Sequence, residues 1–360
     1  MDVYSSKLSH AVDVGVGAYL LVIAVLSIIG NLLVLIMASK RSKHMKPAEL
    51  LSVSLAVTDL GAAVTMYPLA AASAWNHHWI GGDVTCRYYG FMGFFFGIAS
   101  MATLTVMAVV RFIVSTNLQS PKERVSMRNA KLLVVGAWLY ALLWAVFPFA
   151  GWGQYGPEPF GLSCTLSWAN MRHIDHGFSF VISMFSMNLA TPAVVIITCY
   201  AGIALRLRVT FKSINSFNHL PNAVKMQKRL VLIAIFISMG FLGSWTPYGM
   251  VSLWSVYSDS TSIPPMVSML PCLFAKTSTV YNPLIYYIFS KAFKTQVKQL
   301  CCPYRWSNAC NQDMDSNKAI ENTVYLVCND AKPPQPRPRM DDKDLGTTEQ
   351  METRLTLEYQ

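Results

Sequence analysis

The stretch LPCLFAKTSTVYNPLIYYIF, residues 270–289, is long and apolar enough to cross a membrane as a helix. One basic residue, Lys276, stands near its middle. An ammonium group at the centre of a membrane helix costs about 2.5–3.5 kcal/mol on insertion scales. A chain that keeps Lys276 there must pair the amine with another group or convert it into something other than an ammonium group.

Six further segments share this apolar character and explain the composition of the chain. Of 360 residues, 53% are hydrophobic and 13% are charged, whereas soluble domains carry about 25% charged residues. The pattern predicts an all-α membrane protein, a bundle of seven transmembrane helices with a short amphipathic eighth helix at Lys291–Leu300. The predicted spans are Val14–Ser39, Glu49–Ala74, Cys86–Ser115, Ala130–Ala150, Phe178–Leu205, Arg229–Tyr257 and Ile263–Phe289.

The charges indicate how the chain is oriented. Residues 1–302 carry 22 Lys and Arg against 9 Asp and Glu, and residues 303–360 carry 7 against 10. Most of the bases lie in the first, third and fifth connections between spans or just after the seventh span. The positive-inside rule then predicts a multi-pass plasma-membrane protein with an extracellular N-terminus and a cytoplasmic C-terminus. The basic pI follows from this topology, so no nucleic-acid partner is predicted.

Three regions follow from these patterns. Residues 1–13 form a predicted extracellular N-terminus, and residues 14–302 form the transmembrane domain with its amphipathic helix. Residues 303–360 are polar and without sustained periodicity, which predicts a disordered cytoplasmic tail.

The positions of the cysteines predict one disulfide and one lipid anchor. Cys86 and Cys164 are the two of eight cysteines that the topology places outside, where thiols pair. Cys301 and Cys302 directly follow the amphipathic segment, a position typical of palmitoylation. Two unmodified, reduced thiols are the alternative for Cys301 and Cys302.

Polar residues recur inside the spans. Asp59 would be costly in isolation, so we expect it to face the bundle interior and to meet Asn31, Ser100 and Asn282. Two interpretations stay open, a static polar contact between helices and a hydrated switch region. Four prolines also interrupt spans, each as a packing kink or a hinge: Pro148, Pro192, Pro247 and Pro283.

The histidines do not predict a metal site. His173 and His176 have a spacing that a helix could use to bind a metal, but no further ligand is placed beside them. We expect these two, and likewise His77 and His78, to be solvated loop residues.

Short motifs follow one another along the spans in a fixed order. They are Gly30-Asn31, Leu55-Ala56 with Asp59, the Cys86/Cys164 pair, Trp138, Pro192 with Tyr200, Trp245-Thr246-Pro247-Tyr248, and Asn282-Pro283 with Tyr286. This set resembles the rhodopsin-like family of G-protein-coupled receptors over roughly residues 14–302. Lys276 stands six residues before Asn282, where animal opsins carry the lysine that binds retinal as a Schiff base. Stretches such as PEPFGLSCTL are similar to neuropsin-like, non-visual opsins.

The resemblance implies a light-sensing receptor with retinal as its cofactor, rather than an enzyme. It implies a heterotrimeric G protein as partner, with arrestin and a receptor kinase as further partners. The implied retinal site is Lys276, in a chromophore pocket with Tyr89, Trp245 and Tyr248. The residues implied in the activation switch are Asn31, Asp59, Arg111, Tyr200, Pro247, Asn282, Pro283 and Tyr286.

The counterion of a protonated Schiff base is the first departure from the visual members of the family. Tyr89 stands where vertebrate visual opsins carry an acidic counterion. Many opsins that lack that acid use one matching Glu158, six residues before Cys164. Glu158 is therefore the counterion candidate.

Two further departures concern the cytoplasmic side. Val110 precedes Arg111 where most receptors of this class carry an acid, and Gln227 replaces the acid near the start of span six. We therefore expect Arg111 to be weakly restrained in the resting state. The tripeptide after span seven is Ser290-Lys291-Ala292, which weakens any transfer of a transducin preference.

Three other functions compete with a signalling opsin. The missing acids near Arg111 favour a retinal photoisomerase or retinoid-binding opsin with little signalling. A receptor for a diffusible ligand would use Lys276 as an anion contact, or would pair it with Asp59. A transporter is disfavoured, because the two halves of the chain show no paired repeat with broken helices.

Overall fold

The computed structural model describes residues 2–40, 45–116, 125–214, 222–257, 263–290, 293–295 and 297–298, with side chains described outside 116 and 207–228. The helices within these ranges are α1 His10–Lys40, α2 Pro47–Thr65, α3 Tyr67–Trp75, α4 Gly82–Thr116, α5 Met127–Val146, α6 Gly177–Phe185, α7 Thr191–Ile214, α8 Asn222–Tyr257, α9 Pro265–Lys276 and α10 Ser278–Phe289. Two short antiparallel strands, β1 Tyr155–Pro157 and β2 Cys164–Leu166, form a hairpin between α5 and α6.

These helices form the seven predicted spans, which confirms the predicted bundle. Spans one, three, four and six are α1, α4, α5 and α8, whereas spans two, five and seven are each divided into two helices. Six spans are long and apolar enough to cross a membrane as they stand in the described part of the chain. The first helix begins at His10, four residues before the predicted boundary.

Prolines explain most of the interruptions, because a proline removes one helical hydrogen bond. Pro68 lies at the junction of α2 and α3, a break that the sequence analysis did not predict. Pro148 lies in a 3₁₀ turn that ends span four, and Pro192 follows a π-helical turn in span five. Pro247 and Pro283 lie inside α8 and α10, which continue through them.

The seventh span is divided at Thr277, directly after Lys276. The Thr277 hydroxyl donates to the carbonyl of Phe274 at 2.6 Å, and its backbone N–H donates to the same carbonyl at 3.1 Å. A threonine hydroxyl that bonds to a nearby carbonyl competes with the regular helical pattern. The turn between α9 and α10 therefore arises at the residue that follows Lys276.

Asn31 satisfies a carbonyl that a proline leaves open. Pro283 has no N–H to donate to the carbonyl of Thr279, four residues earlier. The Asn31 side-chain amide donates to that carbonyl at 3.0 Å and to the carbonyl of Ser27 at 2.9 Å. Since hydrocarbon offers no alternative partner, this contact binds span one to span seven.

The predicted disulfide is present and fixes the hairpin. Cys86 near the start of α4 is bonded to Cys164 at the start of β2. The N-terminal segment covers the same side of the bundle, with Trp79 N–H donating to the carbonyl of Tyr4 at 2.8 Å. We call this side the hairpin end and the other side the opposite end.

The eighth helix and the tail are reached only in part. Residues 293–295 and 297–298 are helical, and Lys294 N–H donates to the carbonyl of Ser290 at 2.9 Å. The palmitoylation candidates Cys301 and Cys302 and the predicted disordered tail lie outside the described residues.

We expect Asn31→Leu to lower the thermal unfolding midpoint in detergent, by the equivalent of about 1–2 kcal/mol, because the Thr279 carbonyl loses its donor. In a Pro283→Ala background the new N–H at position 283 can supply that donor, so the same change should cost less. Ser27→Ala, which removes a longer contact of 3.4 Å to the same carbonyl, is the matched control. An equal cost of Asn31→Leu in both backgrounds would contradict this account.

Candidate ligand-binding site

A large cavity lies inside the bundle beneath the hairpin. Its volume is about 160 Å³, roughly ten times what a single buried water needs. Side chains from α2, α3, α4, α8, α9 and α10, from the hairpin and from residues 184–189 of span five line it. The lining is mainly apolar and aromatic, which is typical of a small-molecule site.

Lys276 lines this cavity as the last residue of α9. Its Nζ lies 3.0 Å from Cys272 Sγ, one helical turn earlier, and 5.8 Å from the centre of the Tyr89 ring. Among the residues that the structure describes, no carboxylate forms a salt bridge with this amine. The pairing with Asp59 that the sequence left open is therefore not formed.

Glu158 lines the same cavity from the turn that follows β1. Its side chain is 5% exposed, and its carboxylate accepts a hydrogen bond from the Tyr248 hydroxyl at 2.8 Å. Burial raises the pKa of Glu158 to about 7, while the Tyr248 hydroxyl and the Lys276 charge act in the opposite direction. The hairpin and its disulfide thus hold a carboxyl group that can change protonation near neutral pH.

The other predicted pocket residues also meet at this cavity. Tyr89 is buried and packs edge-on against Trp79, with ring centres 5.1 Å apart. Trp245 donates from its ring nitrogen to the Ser278 hydroxyl at 3.2 Å, which joins α8 to α10. Tyr248 bonds to Thr165 of β2 at 3.0 Å in addition to Glu158.

The predicted polar cluster is divided into separate contacts. Asn282 donates to the Asp59 carboxylate at 2.6 Å, so these two residues meet as expected. Ser100 lies 2.9 Å from the hydroxyl of Thr58. Asn31 bonds to carbonyls of spans one and seven instead, because the Thr279 carbonyl needs a donor.

Arg111 lies at the opposite end, where it lines a second cavity together with Tyr286. Its Nε is buried and has no hydrogen-bond partner among the described residues. Val110 is 3% exposed and packs in an apolar cluster with residues of α2, α4, α7 and α8. The Tyr200 hydroxyl lies 3.3 Å from that of Ser238. The side chain of Gln227 is outside the described part.

The expectation of solvated histidines is wrong for His77. Its Nδ1 lies 2.6 Å from the carboxylate of Asp13, a fully buried residue of α1, and its ring packs on His10 at 3.7 Å. The sequence analysis missed this pair because it placed Asp13 in an outer segment before the first helix. His173 and His176 are exposed, as predicted. His78 is also exposed and lies 2.8 Å from Asp2, whose pKa it lowers by hydrogen bonding.

Cys272, Thr165 and Asn188 are among the cavity residues that the sequence analysis did not predict. Cys272 could have been found, because it precedes Lys276 by four residues and so shares its helix face. Thr165 and Asn188 carry no comparable signal. The position of Thr165 depends on the register of the hairpin, and the position of Asn188 depends on a helical irregularity in span five.

Comparison with known proteins agrees with this architecture. Residues 30–286 match the model of the 7 transmembrane receptor (rhodopsin family). The chain belongs to this family. It is 37% identical to Opsin-5 of Mus musculus over 293 residues, which cover 81% of this chain and 78% of the relative. It is 35% identical to the visual pigment-like receptor peropsin of Homo sapiens over 283 residues, which cover 78% and 82% of the two chains.

A solved structure is similar over the same region of this opsin. The crystal structure of squid rhodopsin matches it with a TM-score of 0.75 and 26% identity, covering 84% of this chain and 88% of the other. The relatives are named as opsins, rhodopsins and receptors, and the family that the chain belongs to is described as a receptor family. The predicted family and fold are both confirmed.

We expect the ligand-free opsin to lose stability as pH rises from about 4.5 to 7. The folded state keeps the Glu158 proton in this window, because burial raises its pKa from 4.5 to about 7, whereas the unfolded chain releases it. The full effect corresponds to about 3 kcal/mol. Thermal unfolding midpoints in detergent should therefore fall between pH 5 and pH 8.

The same series in Glu158→Gln should be nearly flat over this range. Tyr248→Phe removes a donor that favours the ionised carboxylate and so raises the pKa of Glu158 further. The loss of stability with rising pH should therefore extend to higher pH in this variant. A wild-type decline that persists unchanged in Glu158→Gln would assign the titration to another group.

Proposed function

We propose that this opsin is a light-activated receptor that binds retinal through a Schiff base on Lys276 and activates a heterotrimeric G protein. The observation that carries the proposal is the amine of Lys276, which lines an apolar, aromatic cavity and forms no salt bridge with a carboxylate in the described part of the chain. Such a cavity suits a long apolar ligand, and the amine suits an aldehyde at its end. Retinal has both features, and when bound it supplies absorption of light and a change of shape.

The residues around Lys276 favour the condensation. The neutral amine is the nucleophile, and condensation with an aldehyde releases one water. Cys272 Sγ, 3.0 Å away, can accept a proton from the amine or return one to it. The apolar walls exclude bulk water, which protects the linkage from hydrolysis.

Glu158 is the proposed counterion. It lines the cavity with Lys276, and its carboxyl is poised near neutrality by burial. A cation on the Lys276 nitrogen would favour the ionised carboxylate, so the two charges would stabilise each other. Tyr248 would hold the carboxylate in place, and Tyr89, with its ring beside the nitrogen, would shield the cation.

Helix α8 is the proposed route to the G protein. Trp245 faces the cavity, Pro247 follows two residues later, and Ile233, Ala234 and Ile237 of the same helix line the second cavity beside Arg111. In this proposal the hairpin end is extracellular, and the G protein, arrestin and a receptor kinase act at the opposite, cytoplasmic end. The plasma membrane is the proposed location.

A retinal photoisomerase with little signalling is the second candidate. Val110, buried in an apolar cluster, favours it, because the acid that commonly flanks this arginine is missing. Light-dependent nucleotide exchange separates the two functions. Isomerisation without exchange on any G protein would favour the photoisomerase.

Lys276→Ala should abolish the retinal adduct and all light-dependent nucleotide exchange, because no other amine lines the cavity among the described residues. Purified protein would be incubated with 11-cis or all-trans retinal in the dark and treated with borohydride, and the labelled peptide would be identified by mass spectrometry. Lys294→Ala, a lysine that packs on Tyr287 outside the cavity, is the control and should behave as wild type. A pigment formed by Lys276→Ala without added amine would refute the assignment.

Glu158→Gln should lower, by about 1–3 units, the pH at which half of the pigment stops absorbing in the visible range, because the nitrogen loses its opposite charge. Absorption at neutral pH would then move toward the ultraviolet. Asp83→Asn removes an exposed acid at the same end and should leave the titration unchanged. If the wild-type dark pigment already absorbs in the ultraviolet, the shift is expected in the illuminated form. Identical titrations of wild type and Glu158→Gln in both forms would exclude Glu158 as the counterion.

A further inference from the structure

Asn188 is a buried amide in the wall of the ligand cavity whose side chain forms no hydrogen bond within the described part of the chain. It is 7% exposed and lines the cavity. Neither its Oδ1 nor its Nδ2 has a hydrogen-bond partner among the residues that the structure describes. Burying an amide without partners is costly, so such a group in a native protein indicates a partner supplied from elsewhere.

The local backbone explains how Asn188 reaches the cavity. Pro192 has no N–H to donate to the carbonyl of Asn188, four residues earlier. The chain instead forms a π-helical turn over Ser186–Ala190, in which Thr191 N–H donates to the carbonyl of Ser186. A π turn inserts an extra residue into the helix and is frequent at functional sites. Asn188 lies at the centre of this turn.

The position of Asn188 separates it from the reactive amine. Span five packs against α4 and α8, whereas α9 and α10 of span seven pack against α8, α1 and α2. The cavity therefore lies between Asn188 on one wall and Lys276 on the other. The other residues of span five that line the cavity are apolar: Met184, Phe185 and Leu189. The amide is thus the polar group that the described part of span five presents to the cavity.

We propose that Asn188 forms a specificity subsite for a retinoid aldehyde that carries a hydroxyl group on its ring. The inference rests on the proposed function. Retinal has its aldehyde at one end and its ring at the other, so a ligand joined to Lys276 directs its ring toward the opposite wall. A hydroxyl group both donates and accepts, and it can therefore use the Oδ1 and the Nδ2 of one amide. Plain retinal would leave both atoms without a partner.

The test is a competition in the dark. Purified full-length opsin would be loaded with equimolar retinal and 3-hydroxyretinal of the same isomer, and separately with retinal and 4-hydroxyretinal. Hydroxylamine extraction and chromatography then give the ratio of bound retinoids. We expect wild type to favour one of the hydroxylated forms about fivefold, the ratio that a net gain of about 1 kcal/mol produces.

Two variants and one control complete the design. Asn188→Leu removes the amide and keeps a side chain of similar volume. Asn188→Ala also removes the amide but leaves its space empty. Both should bind plain retinal and show a ratio near one. Met187→Leu changes an exposed residue of the same π turn that does not line the cavity, and it should keep the wild-type preference.

The outcomes separate this inference from the proposed function. Equal loading of retinal and both hydroxylated forms in wild type would overturn the subsite, and so would a preference that survives in both Asn188 variants. In either case an adduct on Lys276 would leave the proposed function standing. If no retinoid binds through Lys276, both proposals fail.

Discussion

Hydrocarbon offers no hydrogen bonds, so each polar group that this opsin places within its spans must find a partner inside the bundle or face a cavity. The contacts between span seven and its neighbours follow from this constraint. Pro283 frees the carbonyl of Thr279, and Asn31 supplies its donor from span one. One residue before that proline, Asn282 donates to Asp59 of span two. The three spans are therefore joined by polar contacts that a single proline and a single acid make necessary.

Three groups that lack a full set of partners within the described residues line the ligand site. Lys276 contacts a thiol and lies near an aromatic ring, and Asn188 has no described partner. Glu158 is satisfied in part, by Tyr248, yet burial still raises its pKa to about 7. These three groups face one cavity from three different parts of the chain. A ligand with a reactive group at one end, an apolar body and a hydroxyl group at the other end would give each of these three groups a partner.

Much of the fold could be predicted from the sequence because it depends on local patterns. Apolar runs predicted the seven spans. The charges of the connecting segments predicted the topology, which in turn predicted the disulfide between Cys86 and Cys164. Contacts that depend on helix irregularity could not be predicted. The π turn that places Asn188 in the cavity arises from how one missing N–H is accommodated, and a wide turn is only one way to do so. The pair of His77 and Asp13 was missed because the first helix begins before the apolar run does.

The site itself divides in the same way. Lys276 is conspicuous in the sequence because a base is costly in the middle of an apolar helix. Glu158 is not, since an acid in a loop is ordinary, and only the hairpin register brings it to the cavity and to the Tyr248 hydroxyl. Residue type and position alone therefore single out Lys276, because a base inside an apolar span is rare. They do not single out Glu158, whose environment is unusual only because of its tertiary neighbours.

The two cavities share one helix, and this determines how a signal would pass between them. α8 lines the ligand cavity through Phe241, Trp245 and Tyr248. Nearer its start, the same helix lines the second cavity through Leu230, Ile233, Ala234 and Ile237. The rings of Phe241 and Trp245 stack with their centres 5.6 Å apart, so a displacement of Trp245 toward Phe241 would be passed along α8. Val110 cannot form with Arg111 the ion pair that an acid at this position would form. Reversing a two-state equilibrium from 1:99 to 99:1 takes about 5.5 kcal/mol of differential binding. In a receptor without that ion pair, helix packing and the ligand would supply this energy.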